Sequence, residues 1–131
     1  MPANPESRFW KRLKKLFERG HIVRVENPAN PGTPDVNACI GGVEFWSEQK
    51  QVPKLPKLSG TSVFTGCLKP EQELWHVLRN RAGGRTFICG YVQESDEIFV
   101  IPGNLAPEFN SMTIQQLRDA TLKVEDMWKR S

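Results

Sequence analysis

The chain has 131 residues, of which 38% are hydrophobic, and it contains four Trp and seven Phe. This length allows one domain with a proper core and excludes two ordinary ones, so we predict a single domain over residues 1–131. The apolar content excludes a disordered chain. No apolar run approaches the ~20 residues that span a bilayer, and the N-terminus lacks the apolar stretch of a signal peptide, so we expect a cytoplasmic protein with no membrane contact.

Charged residues are distributed unevenly, although the formal net charge is only +3. Basic residues crowd the start of the chain, at Arg8, Lys11, Arg12, Lys14, Lys15, Arg19 and Arg24, while acidic residues are concentrated toward its end. Such asymmetry is typical of a protein that binds a polyanion on one side. A solvated helix face is the ordinary alternative.

The three cysteines, Cys39, Cys67 and Cys89, are widely separated and lack metal-ligand spacing. Their odd number and spacing disfavour both a disulfide framework and a structural zinc site. We expect reduced, mostly buried thiols.

The first half of the chain predicts one helix and three strands. Asn4-Pro5 is a typical helix start and Gly20 a typical end, with Phe9, Trp10, Leu13, Leu16 and Phe17 on one face. Residues 21–25 predict a strand, and the proline-rich stretch 27–34 a loop. Residues 36–40 and 43–49 predict two strands joined by Gly41-Gly42, a two-residue hairpin signal.

The second half begins with residues 51–66, whose Lys, Pro, Ser, Thr and Gly content predicts a flexible surface loop. A second helix is expected from Pro70 to Gly83-Gly84. We expect it to bury Leu74, Trp75, Leu78 and Ala82 and to present Gln72, His76 and Arg79 on another face. Strands are expected over 86–92 and 98–101.

A last helix is predicted to begin at Thr113, which forms a capping box with Gln116. Its apolar stripe would repeat at heptad-like spacing through Ile114, Leu117, Thr121, Val124 and Trp128. We expect this stripe to pack on the chain's own sheet, and a dimer seam is the alternative. The order of elements predicts an α/β fold with a mixed central sheet flanked by helices.

Three residues around the Gly-Gly hairpin carry the candidate chemistry. Asp35 precedes the first hairpin strand, and Glu48 and Lys50 project from the same side of the second. Antiparallel pairing should bring Asp35 against Glu48. A Glu-x-Lys pattern alone is more often an exposed ion pair, but the preceding Pro34-Asp35 and the hairpin favour a metal site.

Two carboxylates and a lysine at a strand end suit a hard divalent cation, Mg²⁺ or Mn²⁺. Asp35 and Glu48 would bind the metal, with the main-chain carbonyl of Gln49 as a further ligand. Such a metal can bind a scissile phosphate and lower the pKa of a bound water. Lys50 would orient or deprotonate the water, or neutralise charge on the phosphate. No small-molecule cofactor beyond the metal is predicted.

These residues resemble a known group. Gly32-Thr33-Pro34-Asp35, Glu48-Gln49-Lys50 and the helix bearing Gln72 are similar to the PD-(D/E)XK nuclease superfamily, and more narrowly to the stand-alone VRR-NUC nucleases found in phages. The resemblance covers about residues 24–92. It implies a restriction-endonuclease-like core and a DNA endonuclease activity, in the host cytoplasm if a phage encodes the protein.

Carried over by position, the resemblance implies Asp35 and Glu48 as metal ligands, Lys50 as the catalytic lysine and Gln72 as a site residue. A solvent-facing Gln72 is the alternative, because the stretch 51–69 is long for the family. An acidic residue of the first helix often completes such a site. Glu6 is the better candidate, since it should project with the apolar face, whereas Glu18 lies among basic residues.

The resemblance also implies a DNA partner. Relatives of this type can be homodimers that cut branched DNA, including four-way junctions, or can be nicking or flap nucleases. Phosphate contacts are expected from Lys11, Lys14, Lys15, Arg24, Lys54, Lys57 and Arg79. The competing hypotheses are a non-catalytic DNA-binding or inhibitor protein that retains the fold, and a structural protein of an assembly.

Overall fold

The structure is a computed structural model that describes residues 5–25 and 32–130, with the side chains of residues 5–7 left out of the description. The helices and strands, in chain order, are α1 (Pro5–Leu16), β1 (His21–Arg24), β2 (Val36–Ile40), β3 (Val43–Val52), α2 (Pro70–Arg81), β4 (Thr86–Val92), β5 (Glu97–Pro102), α3 (Ala106–Phe109) and α4 (Ile114–Ala120). Two 3₁₀ turns occupy Gly103–Leu105 and Val124–Trp128. None of the described helices has the length and apolar character needed to cross a membrane.

The five strands form one mixed sheet in the order β1-β2-β3-β4-β5. Neighbouring strands are antiparallel except β3 and β4, which are parallel and are connected through α2. The parallel pair requires such a crossover because parallel strands cannot be joined by a tight turn. The predicted mixed sheet with flanking helices is confirmed.

Hydrophobic clusters cover both faces of the sheet, because side chains alternate between faces along each strand. One face packs against α1 and the C-terminal segment, and its cluster includes Phe9, Leu13, Phe17, Phe45, Phe87, Tyr91 and Met127. The opposite face packs against the helices that follow β5, with a cluster that includes Phe64, Leu68, Ile88, Phe99, Ile101, Phe109 and Leu117. β3 lies in the middle of the sheet and is therefore covered on both sides.

The segment after β3 is less loop-like than expected. Residues 51–52 continue β3, so the predicted surface loop over 51–66 was wrong at its start. It was also wrong for Val63 and Phe64, which are buried. Phe64 stacks on Phe109, with ring centroids 5.0 Å apart, and packs so close to Gly90 that a Cβ there would lie 2.6 Å from its ring. Only glycine leaves that space, which ties the segment to β4.

The predicted last helix is broken. α4 starts at the expected capping box, where the Thr113 hydroxyl accepts the N–H of Gln116, but it ends at Ala120. Thr121 Oγ1 then accepts the N–H of Val100 and the N–H of Leu122 donates to the Val100 carbonyl, both at 2.9 Å. The chain joins the edge of β5 instead of continuing the helix. The expected heptad-like stripe therefore spans two separate elements.

The described cysteines are free, and one of them departs from expectation. Cys89 is buried, Cys67 is partly buried and Cys39 is exposed on β2. Cys39 alternates with the buried Ala38 and Ile40, so it points away from the α1 face. The expectation of mostly buried thiols was wrong for Cys39.

Candidate functional site

The β2–β3 hairpin places Asp35 beside Glu48. Val36 pairs with Ser47 in the antiparallel register, so the residue before β2 lies opposite Glu48. The backbone N–H of Asp35 donates to Glu48 Oε2 at 3.0 Å, and the backbone N–H of Gln49 donates to Asp35 Oδ2 at 3.0 Å. Each carboxyl group is thus held by the other strand's backbone, which fixes both against rotation.

Lys50 shares a face of β3 with Glu48. Its Nζ atom lies 3.4 Å from Glu48 Oε1, and its side chain is 18% exposed while that of Glu48 is 1% exposed. Trp46 precedes Glu48 by two residues and projects to the same side. This face of β3 is covered by α2, so the candidate site lies between the middle of the sheet and that helix.

Gln72 connects the start of α2 to the carboxylate pair. Its Nε2 donates to Glu48 Oε1 at 2.5 Å, and its Oε1 accepts the backbone N–H of Lys69 at 2.9 Å. The second bond fixes which end of the amide faces Glu48, because only the Nε2 end can donate there. The structure thus places the half-buried Gln72 against Glu48.

Gly32 sets the distance between the loop carrying Asp35 and α2. Its φ is +100°, and a Cβ built on it would lie 2.5 Å from the carbonyl oxygen of Glu71. A side chain at this position would push the loop away from the helix. The glycine of the Gly32-Thr33-Pro34-Asp35 motif therefore positions Asp35 and Gln72 relative to each other.

The electrostatics of the Asp35–Glu48 pair favour the binding of a cation. Burial, followed by the nearby charge of Asp35, raises the pKa of Glu48 to about 8, and the charge of Lys50 opposes this only in part. Such a desolvated carboxyl group next to a second carboxylate lacks full charge compensation. A divalent cation between them would supply it.

The donor set fits Mg²⁺ or Mn²⁺, which bind through one or two carboxylates and keep several water ligands. Among the side chains that the structure describes, those of residues 8–25 and 32–130, no group of three or more His, Cys, Asp or Glu is placed to hold a metal ion. The Asp35–Glu48 pair is thus a two-carboxylate site as far as it is described. Glu6 lies in the first turn of α1, and its side chain falls outside the described residues.

The inward face of α2 is polar, which reverses the expectation from the sequence. Leu74 and Leu78 are 57% and 52% exposed, whereas His76 is fully buried. The helix turns Gln72, His76 and Asn80, spaced four residues apart, toward the sheet. The predicted burial of Leu74, Leu78 and Ala82 was wrong, since all three are exposed. The covered part of the sheet carries Glu48 and Thr86, which require polar partners.

A buried polar network lies behind the site and was not predicted from the sequence. His76 Nδ1 lies 2.9 Å from Thr86 Oγ1, and Asn80 Nδ2 donates to both Thr86 Oγ1 and the His76 carbonyl. Burial, and then the charge of Lys50, lowers the pKa of His76 to about 4, so the ring is neutral near pH 7. The spacing of Gln72, His76 and Asn80 is the sequence signal that could have identified this face.

The expected phosphate-binding residues do not form one surface. Lys11, Lys14 and Lys15 are exposed on α1, which packs on the face of the sheet opposite Glu48 and Lys50. Exposed Arg24 lies with its guanidinium 5.0 Å from the ring centroid of Trp10. Lys54 and Lys57 are exposed in the segment that follows β3, and Arg79 is exposed on α2, the helix that also carries Gln72.

Comparison with known proteins gives structural neighbours only. No family model matches the sequence, and no curated protein matches it. The structure is similar to that of Archaeoglobus fulgidus Hjc, a Holliday junction resolvase from an archaeal hyperthermophile, with a TM-score of 0.64 and 16% identity. This match covers 92% of this chain and 95% of Hjc.

A second solved structure, a VRR_NUC domain, is similar with a TM-score of 0.51 and 22% identity, over 71% of this chain and 90% of that domain. At these identities the likeness establishes the fold. It agrees with the mixed five-stranded sheet and its flanking helices. The chain therefore has the restriction-endonuclease-like fold of this resolvase and the VRR_NUC domain.

Proposed function

We propose that the protein is a divalent-metal-dependent endonuclease that hydrolyses phosphodiester bonds in DNA, with Mg²⁺ or Mn²⁺ as its cofactor. The observation that carries the proposal is the interlocked pair of Asp35 and Glu48, with Lys50 on the same face of β3. Desolvating two adjacent carboxylates destabilises a fold unless a cation offsets their repulsion. A bound metal ion would offset the repulsion between the two carboxylates and would give the pair a catalytic role.

Each residue has a distinct proposed role. Asp35 and Glu48 hold the metal through their carboxylate oxygens, with the Gln49 carbonyl and Glu6 as proposed further ligands. When bound, the metal would polarise the scissile phosphate and acidify a water. Lys50 carries a cation to within 3.4 Å of Glu48, where it can orient that water or stabilise charge on the phosphate. Gln72 acts through Glu48 and is a positioning residue.

The proposed substrate is branched DNA, including four-way junctions. The neighbour with the higher TM-score is described as a Holliday junction resolvase, which supports this class of substrate. A four-way junction has two equivalent strands to cut, so a homodimer with two sites related by a twofold axis is the matching assembly. We propose that Lys54, Lys57 and Arg79 contact phosphates near the cut, and that Lys11, Lys14, Lys15 and Arg24 contact more distant ones.

The test is a cleavage assay on a four-way junction, a flap and a linear duplex, each with Mg²⁺, Mn²⁺ or EDTA. The proposal predicts cutting with either metal and none in EDTA, with the junction cut faster than the duplex. Binding of DNA without any cutting, in every metal, would contradict it and favour the non-catalytic DNA-binding alternative. Equal cutting of all three DNAs would retain the nuclease and reject the selectivity for branched DNA.

A further inference from the structure

Two tryptophans and an arginine lie next to the carboxylate pair. Trp46 is two residues from Glu48 on the same face of β3, a spacing of about 6.6 Å along the strand. Trp75 of α2 contacts it, with ring centroids 5.4 Å apart and an interplanar angle of 63°. The Arg79 guanidinium lies 5.6 Å from the Trp46 centroid and 5.2 Å from that of Trp75. We call these three residues the Trp46–Trp75–Arg79 cluster.

The cluster is partly exposed, since both tryptophans are half-buried and Arg79 is exposed. In the described part of the chain Arg79 has no carboxylate partner. Trp46 Nε1 is buried and has no hydrogen-bond partner among the same residues. A cavity of about 290 Å³ adjoins the cluster and is lined by Trp75, Leu78, Arg79 and Ala82. This volume is close to the roughly 300 Å³ at which pockets for small ligands begin.

We propose that the Trp46–Trp75–Arg79 cluster binds an unpaired DNA base beside the cut, and so selects branched DNA over intact duplex. The inference rests on the proposed nuclease function and names what the site recognises. An aromatic ring stacks on any base, and a guanidinium adds a cation–π contribution together with attraction to the DNA backbone. A base within an intact duplex is already stacked on its neighbours, whereas one at a branch can leave the helix.

The charge of Arg79 favours DNA, and not a second copy of the chain, as the partner that binds the cluster. An isologous contact centred on the cluster would bring Arg79 of each copy toward the twofold axis, where the two cations would repel. DNA is a polyanion, so the uncompensated charge of Arg79 favours it. Trp46 lies about 6.6 Å along β3 from Glu48, one of the carboxylates that would hold the metal. A base bound to the cluster would therefore lie close to the bond that is cut.

The test is a binding experiment in EDTA, so that it does not depend on cutting. One DNA is a fork with an unpaired 2-aminopurine at the branch, whose fluorescence falls on stacking, and the other is a fully paired duplex of equal length. The variants are Trp75→Ala, Trp75→Phe and Arg79→Ala. Leu74→Ala is the matched control, because Leu74 is exposed on the same helix and lies outside the cluster.

Wild type should bind the fork and quench the 2-aminopurine. Trp75→Ala should weaken fork binding by about tenfold or more and remove the quenching, since stacking on one aromatic ring contributes on that scale. The same variant should change duplex binding by less than about twofold. Trp75→Phe should keep most of the quenching, Arg79→Ala should reduce it, and Leu74→Ala should behave as wild type.

Three results would overturn the proposal: no quenching by wild type, equal weakening of fork and duplex by Trp75→Ala, or a dimer that becomes a monomer in that variant. If Trp75→Ala does not fold, as judged by circular dichroism, the exposed Arg79→Ala variant decides through the quenching alone. A wild-type protein that quenches the base and never cuts would reject the proposed nuclease activity while supporting base binding.

Discussion

The side-chain amide of Gln72 donates to Glu48 Oε1 across 2.5 Å, while its oxygen accepts the backbone N–H of Lys69. One residue therefore caps the start of α2 and orients a candidate metal ligand. Because the two bonds use opposite ends of the amide, a flip of this group would break both. The site and the helix that covers it are mechanically coupled through this side chain.

Replacing Gln72 should reveal that coupling. Gln72→Ala leaves Glu48 without its donor and should lower metal affinity or the cleavage rate by roughly 10- to 100-fold, the range typical for groups that orient a metal ligand. Loss of the cap should also lower the free energy of unfolding by about 1 kcal/mol. A Mg²⁺ titration of the cleavage rate measures the first effect and urea unfolding the second. Gln115→Ala, an exposed glutamine on α4, is the control and should change neither.

The raised pKa of Glu48 predicts how stability depends on pH in EDTA. The unfolded chain releases this proton near pH 4.5, whereas the folded protein keeps it to about pH 8. Between these values the folded state binds more protons, so the free energy of unfolding should fall as pH rises. The window from pH 6.5 to 8 emphasises Glu48, since the lowered pKa of His76 changes stability mainly below its ordinary value of 6.5 and in the opposite direction.

Across that window the decrease should be about 1–2 kcal/mol, because a one-proton difference changes stability by about 1.4 kcal/mol for each pH unit and the folded state releases its proton near pH 8. Glu48→Gln should remove this slope, and Glu44→Gln, an exposed carboxyl group on the same strand, should leave it unchanged. Saturating Mg²⁺ should remove the slope, because the metal-bound folded state, like the unfolded chain, no longer carries this proton. A wild-type stability that does not vary with pH in EDTA would reject the buried, protonated Glu48.

Gly32→Ala should damage the site from outside it. The alanine Cβ would lie 2.5 Å from the Glu71 carbonyl and would require a φ of +100°, so the loop must shift away from α2. We expect a loss of about 1–3 kcal/mol in stability together with slower cutting, since Asp35 would move relative to Gln72. Gly60→Ala is the matched control, because nothing lies within 4 Å of a Cβ at that position. Similar melting temperatures for both variants would contradict the predicted clash.

Arg85 holds the C-terminal segment onto the sheet. Its Nε donates to the Met127 carbonyl at 2.8 Å, and its NH2 group donates to the carbonyls of Asp126 and Lys129. Arg85→Ala should lower the free energy of unfolding by about 2–3 kcal/mol, as expected for charged hydrogen bonds. Arg85→Lys should recover little, since an ammonium group cannot donate in this fork geometry.

Arg118→Ala is the control for Arg85. Its ion pair with Glu97 is at the surface, where such pairs contribute about 1 kcal/mol or less. Denaturant unfolding monitored by tryptophan fluorescence distinguishes the two sites. Equal effects of the two alanine variants would show that the C-terminal segment does not depend on Arg85.

The convergence of Asp35 and Glu48 could be predicted because it depends on local signals. Gly41 and Gly42 fix a two-residue turn, with φ values of +58° and +81°, and strand pairing then determines which residues face each other. The strand periodicity likewise determines that Glu48 and Lys50 share a face. These inferences require only the backbone geometry of one hairpin.

The orientation of α2 could not be predicted in this way, because it depends on what the helix covers. Apolar periodicity assumes an apolar surface beneath the helix, and here the covered part of the sheet carries Glu48 and Thr86. Polar residues of α2 face inward to satisfy those groups, and Leu78 is left exposed. A functional site thus reverses the usual amphipathic pattern.

The last helix was mispredicted for a different reason. Its apolar spacing continues past Ala120, but the edge of β5 offers unpaired backbone groups that compete with the helix. The pairing of Leu122 with Val100 satisfies those groups. The apolar spacing of the last segment does not show which backbone groups of β5 are left unpaired, because β5 lies much earlier in the chain.

The central claim is that Asp35 and Glu48 together bind a divalent cation that is needed for cutting. The most direct measurement is single-turnover cleavage of a four-way junction by wild type and Asp35→Asn, across a Mg²⁺ titration and in EDTA. Asparagine keeps an oxygen that can accept the Gln49 N–H, so the fold should be preserved while the charge is lost. We predict cutting by wild type only with metal, and a rate roughly 100-fold or more lower for Asp35→Asn with junction binding retained. Cutting by Asp35→Asn at the wild-type rate in Mg²⁺, or by wild type in EDTA, would contradict the claim.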